Sequence, residues 1–313
     1  LAALVAAPNT GNPRFLRIVL DELRQHGYHF TLGDRIVELC GAATVDDLLE
    51  LVLSRYERDF ERDAPGLTRA AFTALWAARR GLSEPELLAI LGGGDDAPLP
   101  QAAWAPLHLA AEDGLAVRGG LLGLANAELR TAIEDRYLPT DDDRRAAHAR
   151  LAAYFSARPL SDRVTDELGW QLADAGDLDG LASTLADLAF TEHAYRRSPA
   201  DVRRLWSRVG SRTAMVDAYR AVVADPAGHD VEAVEWPRRQ LVWGVARLLA
   251  DDGHPAEATP LFRYLVDRAR LAPRGADDPP DGDAKLRAAL VNLGAAHWSD
   301  ADLDAARTVL GEA

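Results

Sequence analysis

Cysteine, methionine and lysine each occur once in this chain of 313 residues, as Cys40, Met215 and Lys285. A single cysteine excludes any disulfide within the chain and predicts a reducing, cytoplasmic setting. No apolar run reaches the ~18 residues of a membrane span, and no charged-then-apolar leader opens the sequence. Basic charge is short as well. The 35 Lys and Arg stand against 49 Asp and Glu, a net charge of −14, which disfavours nonspecific binding to nucleic acid or anionic lipid. All but one of those basic residues are arginine; with so much Ala and Asp, this reads as nucleotide-composition bias. Nothing matches Gly-x-x-x-x-Gly-Lys-Ser/Thr or a nucleophile elbow, so no ATP hydrolysis or other catalysis is expected of this segment by itself. The chain opens on Leu1, and Val309-Leu310-Gly311-Glu312-Ala313 stops inside a helical pattern. We therefore expect a piece of a larger protein, with residues missing at both ends.

What is present is mainly helix. Hydrophobic residues make up 48% of the chain, enough for a substantial core in about two or three domains. In Gly11-Asn12-Pro13-Arg14-Phe15-Leu16, Gly11 is free to take positive φ, Asn12 suits an N-cap and Pro13 suits the first helical position. Phe15, Leu16, Val19, Leu20 and Leu23 follow at helical spacing. Thr44-x-x-Asp47 predicts a capping box ahead of Leu49, Val52, Leu53, Tyr56 and Phe60. Asp63-Ala64-Pro65-Gly66 then breaks the pattern, so a helical subdomain is expected over 1–63.

Over 64–139 the expected order is three short helices, a hairpin and a helix. The first helix carries Phe72, Leu75 and Trp76 and is ended by Gly81. Ser83-x-x-Glu86 caps the second, and the third starts near Pro100 and carries Trp104 and Leu107. The two apolar runs around Gly119-Gly120 read as the hairpin, and the last helix spans about Asn126 to Tyr137. This is the winged-helix order. A DNA reader needs arginine or lysine on the third helix; here that helix has neither and ends in Glu112-Asp113, and the hairpin has only Arg118. DNA is therefore disfavoured, and a packing module is the better reading.

Thr140-Asp141-Asp142-Asp143 reads as a helix cap. Helix pairs follow over 140–237 and again over 238–313. Val242, Val245-Ala246 and Leu249 precede Gly253, with Ala258 and Phe262 behind. Leu290, Leu293-Gly294 and His297 precede Ala301, with Ala306 and Leu310 behind. This is tetratricopeptide spacing. The surplus over that period is assigned to a loop from Ala272 to Asp283, and further repeats are expected beyond Ala313. The Leu168 pair has the same shape, with Leu181 where a small residue belongs and Leu185 and Leu188 on its second helix.

Trp76 to Leu88 reads Trp-Ala-Ala-Arg-Arg-Gly-Leu-Ser-Glu-Pro-Glu-Leu-Leu, and Leu129 to Leu138 reads Leu-Arg-Thr-Ala-Ile-Glu-Asp-Arg-Tyr-Leu. With Gly11-Asn12-Pro13 and the repeats, residues 1 to about 190 resemble the downstream part of STAND-class nucleotide-switch ATPases. The likeness is strongest to NACHT-type, nephrocystin-3-like proteins with tetratricopeptide tails. The resemblance implies ATP or ADP with Mg in the full-length protein, with none bound by this segment alone. It gives Pro13 the contact with adenine. Asn126 stands where the family has a histidine on the ADP β-phosphate; it offers a neutral hydrogen bond in place of a cationic one, and so a weaker latch.

His26-x-x-His29, with Glu38 and Cys40, is read as a polar loop, since structural zinc takes four suitably spaced ligands. Trp170, Trp206, Trp236, Trp243 and Trp298 are read as core. Three functions stay open: the gating and partner-binding portion of a STAND signalling ATPase, with nucleotide-driven homo-oligomers; a nucleotide-independent tetratricopeptide scaffold for protein partners; and a winged-helix transcription regulator.

Overall fold

The computed structural model describes residues 4, 7–210, 213–229, 241–271 and 281–313, with the side chains of 281–285 excepted. Trp236, the Lys285 side chain and most of the stretch from Ala272 to Asp283 thus lie outside what is described. The described part is mainly α, with eighteen α-helices and one two-stranded sheet, in two compact units, Leu1–Arg158 and Pro159–Ala313. No described helix is long and apolar enough to cross a membrane.

In the first unit, helix α1 (Pro13–Gln25) opens on Asn12, whose side chain accepts from the amides of Arg14 at 2.9 Å and Phe15 at 3.4 Å. Gly11 does not use the positive φ open to it. It ends a short 3-10 turn, and a Cβ there would meet nothing within 4 Å. Helix α2 (Leu32–Cys40) and helix α3 (Val45–Phe60) complete a small core of Phe15, Val19, Leu39 and Leu48. The Thr44–Asp47 capping box forms, with both reciprocal bonds in place.

Helices α4 (Leu67–Ala77), α5 (Glu84–Leu91) and α6 (Gln101–Ala110) precede strands β1 (Leu115–Arg118) and β2 (Leu121–Leu124). Helices α7 (Ala127–Tyr137) and α8 (Asp141–Ser156) follow. The strands pair antiparallel, Leu115 opposite Leu124 and Arg118 opposite Leu121. Helix α4 ends four residues before Gly81, because Ala78 is already extended. Gly81 instead takes φ +90° in the turn beyond, where a Cβ would lie 2.4 Å from the Leu122 carbonyl oxygen. Leu82 and Leu122 exchange backbone bonds of 2.8 and 2.7 Å there, which fastens the α4–α5 turn to β2. Capping boxes at Ser83–Glu86 and Thr140–Asp143 start α5 and α8. The turn at residues 63–66 lies within this unit.

The second unit runs through α9 (Asp162–Ala175), α10 (Leu178–Ala186), α11 (Leu188–Arg197), α12 (Pro199–Val209), α13 (Ala214–Ala224) and the one-turn α14 (Pro226–His229). It continues through α15 (Leu241–Asp251), α16 (Pro255–Leu271), α17 (Asp281–Ser299) and α18 (Leu303–Glu312). Leu188 does not extend the second helix of its pair. The Asp187 side chain accepts from the Phe190 amide at 2.8 Å, and so ends α10 and starts α11. Asp281 to Asp283, read as loop, already belong to α17.

Three of the pairs share one turn. Gly176, Gly253 and Ala301 all take positive φ. The next residue donates its amide to a carbonyl five positions back in each: Asp177 to Leu172 at 3.0 Å, His254 to Leu249 at 2.8 Å and Asp302 to His297 at 2.9 Å. This is the Schellman closure. The positions matching Gly169, Ala246 and Gly294 are small in all three. A Cβ at Gly169 would lie 2.7 Å from a buried Leu205 methyl, and one at Gly294 2.6 Å from Leu310. Leu181, Ala258 and Ala306 are fully buried at the next shared position. Trp206 is buried and Trp170 and Trp243 are half-buried, but Trp298 is 66% exposed and is no part of the core. It shares α17 with buried Leu290, Leu293 and His297, which occupy the inward stripe.

Candidate functional site

The first unit contains a cavity of about 330 Å³ between α1, α3, the end of α6 and the start of α7. Its floor is charged. Glu22 falls on the buried stripe of α1 behind Phe15 and Val19, and its carboxylate takes Arg35 at 2.7 Å and a forked pair of bonds from Arg55 at 2.7 and 2.8 Å. All three side chains are nearly or wholly buried. Burial works against the Arg55 charge, but the Glu22 bonds outweigh it and hold the guanidinium protonated above its usual range. Arg35 spends its other nitrogen on Glu38 at 2.8 Å.

The end of α6 is clamped into this cavity. The Ala110 carbonyl accepts from Tyr56 Oη at 2.9 Å and from Gln25 Nε2 at 3.1 Å. Asp113 pairs with Arg24 at 3.0 Å and Arg17 at 3.7 Å, both from α1. Burial, and next the Glu22 carboxylate, push the Tyr56 phenol up, so it stays a neutral donor. Asp21 is also pushed up, first by burial and then by the neighbouring Asp113 charge.

The two residues singled out from sequence arrive differently. Asn126 lines the cavity and is the N-cap of α7, its Oδ1 accepting from the Leu129 amide at 2.8 Å. Pro13 is exposed at the first position of α1 and is not among the lining residues. The amino ends of the two helices are nevertheless joined by the Arg14–Glu128 pair at 3.2 Å. The Arg14 Nε is buried and has no hydrogen-bond partner. Asn126 and Arg14 suit an anion, but Asp21 and Asp113 line the same space and repel one.

His26 Nε2 bonds Thr31 at 2.9 Å, Glu38 is held by Arg35, and burial raises the half-buried Cys40 thiol. Among the described residues no three potential metal ligands gather. Sequence reading missed Glu22, Arg35 and Arg55. The signal was a glutamate seven residues after Phe15, on the same helical face.

In the second unit a groove of about 420 Å³ lies among α16, α17 and α18. Arg263, Asp267, Arg270, His297, Asp302 and Thr308 supply its polar lining, over apolar Leu290 and Leu293. His297 Nδ1 lies 3.7 Å from the Asp302 carboxylate.

No protein-family model and no solved structure matches the chain. It is similar to a TPR repeat-containing protein of Dictyostelium discoideum, 28% identical over 213 residues, which cover 67% of this chain and 13% of that protein. It is also similar to tetratricopeptide repeat protein 41 of Rattus norvegicus, 24% identical over 233 residues, 63% of this chain and 18% of that one. The chain thus spans less than a fifth of either relative. These similarities support a tetratricopeptide-repeat component.

Proposed function

We propose that this chain is part of a protein-interaction scaffold whose helix pairs carry the recognition surface. The observation behind it is one turn geometry recurring at Gly176, Gly253 and Ala301 with a small residue on the preceding helix, alongside two tetratricopeptide relatives. Stacked helix pairs of this kind form concave surfaces that take extended protein segments. The α16–α18 groove offers cations and carboxylates over an apolar floor, which suits a segment with both charge signs. The test is to select displayed peptides on the full chain and map them by hydrogen exchange. Binders should protect 255–312 and weaken with Arg263→Glu. Binders that protect only the first unit would count against the groove.

A second reading rests on the Arg14–Glu128 pair, which holds the ends bearing Pro13 and Asn126 together. On it, α4–α7 with their hairpin are a winged helix and 1–63 a lid, both belonging to a cytoplasmic STAND-class switch. Pro13 and Asn126 would meet ADP and Mg held by a separate core, and nucleotide would drive homo-oligomers. Full-length protein that retains ADP through desalting favours this reading; protein that retains none favours the scaffold.

A further inference from the structure

Two polar side chains of the α16–α18 groove are left unmet by their own surroundings. The first is His297. Counted from the shared turn, the other two pairs place Leu172 and Leu249 at its position, and all three side chains are buried. An apolar residue therefore serves the packing there, and the imidazole adds a polar ring that the packing does not need. His297 is 8% exposed and lines the groove. Among the described residues its ring has no hydrogen bond, since Asp302 at 3.7 Å is beyond bonding distance. Buried polar groups ordinarily have a partner. The second is Arg263, the one ion of the lining that has no ion pair among the described residues. Arg270 is held by Asp267 at 3.4 Å and by Glu312, and Asp302 spends an oxygen on the Ala305 amide at 3.1 Å in capping α18. The charge that the groove still lacks is negative.

We propose that the groove binds an extended protein segment through one Asp or Glu side chain, whose carboxylate takes Arg263 and His297 while a neighbouring apolar side chain settles on Leu290 and Leu293. This rests on the scaffold reading and narrows it. A base of the segment gains less than an acid, because the carboxylates of the groove are already engaged. A carboxylate has two oxygens and accepts from a guanidinium and an imidazole N–H at once. Bonds of that charged kind are about twice as strong as neutral ones.

The test selects peptides from a random display library on the full chain and takes those that protect 255–312 from hydrogen exchange. Resynthesised with blocked ends, they should each carry an Asp or Glu beside an apolar residue. Changing that acid to its amide should weaken binding roughly ten-fold, and should cost little further in Arg263→Gln, where the same contact is already gone. His297→Leu restores the residue of the other two pairs; it should keep the fold and weaken binding several-fold. Arg307→Gln, on exposed α18 outside the groove lining, should change nothing. Groove binders without an acid, an amide change that costs as much in Arg263→Gln as in the parent, or binding unmoved by His297→Leu would overturn the inference and leave the scaffold reading standing. Peptides that bind only with a free C-terminus would assign a chain end and overturn it as well. If no peptide protects the groove, the scaffold reading of the groove falls and this inference falls with it.

Discussion

The two units share buried charge but differ in where their helices come closest. In the first, α1 is anchored by charge: one buried glutamate gathers arginines from α2 and α3, and Asp113 gathers two more from α1. In the second, Arg197 pairs with Asp162 and Asp166 across two helices, and the closest approaches come where side chains are small, at Gly169 and Gly294. A charged anchor has directional partners and specifies one arrangement. A small residue only opens space, so the same packing is free to recur along the chain. The small-residue approach recurs at matching positions of the second unit, Gly169 and Gly294.

The largest expected effect strikes the charged anchor. Glu22→Leu strands two buried guanidinium groups and should destabilise the first unit by about 3 kcal/mol, read by denaturant unfolding. Adding Arg35→Met and Arg55→Met should recover most of that loss. No recovery would mean that packing, not charge, holds α1.

The small residues are tested next. Gly169→Val must displace buried Leu205 and should cost about 2 kcal/mol. Gly294→Ala meets only Leu310, which is partly exposed and can swing away, so it should change stability by less than about 0.5 kcal/mol once the gain in helix propensity is counted. Equal costs at the two sites would erase the distinction drawn between them.

The shared turn gives a smaller effect of opposite sign. Ala301 sits at φ 62° where the other two turns have glycine. Ala301→Gly should therefore stabilise the second unit by about 1 kcal/mol and Gly253→Ala destabilise it similarly, as thermal melts would report.

The smallest effect is a pH dependence at the surface of the second unit. Asp162 is held below its usual range, first by the hydrogen bond with His193 and then by the Arg197 charge. A depressed carboxylate stabilises the fold above its unfolded pKa of about 3.9, and that contribution fades as pH falls through the lowered folded value. Asp162→Asn should thus be slightly less stable than the parent at pH 7 and indistinguishable from it near pH 2. Added salt should shrink the gap.

Much of this was readable in the sequence because it is local. Asn12-Pro13, Thr44-x-x-Asp47, Ser83-x-x-Glu86 and Thr140-x-x-Asp143 announce helix starts through side chains that reach only three residues along. Gly119-Gly120 announces the hairpin, and the spacing around Gly253 and Ala301 announces the pairs. Two local signals were misread. Gly81 serves the turn and not the helix end, and Asp187 is a cap that splits what looked like one helix.

The sequence alone determined the helical class, the caps, the hairpin and the repeating pairs, since each follows from backbone bonds and side-chain periodicity within a few turns. Only the tertiary structure decided that Glu22 meets Arg55 across 33 residues, that Asn126 borders a cavity while Pro13 stands outside it, and that Arg263 and His297 line one groove. The physical reason is that charge has no periodicity. Whether an arginine faces water or another ion depends on which helices pack beside it.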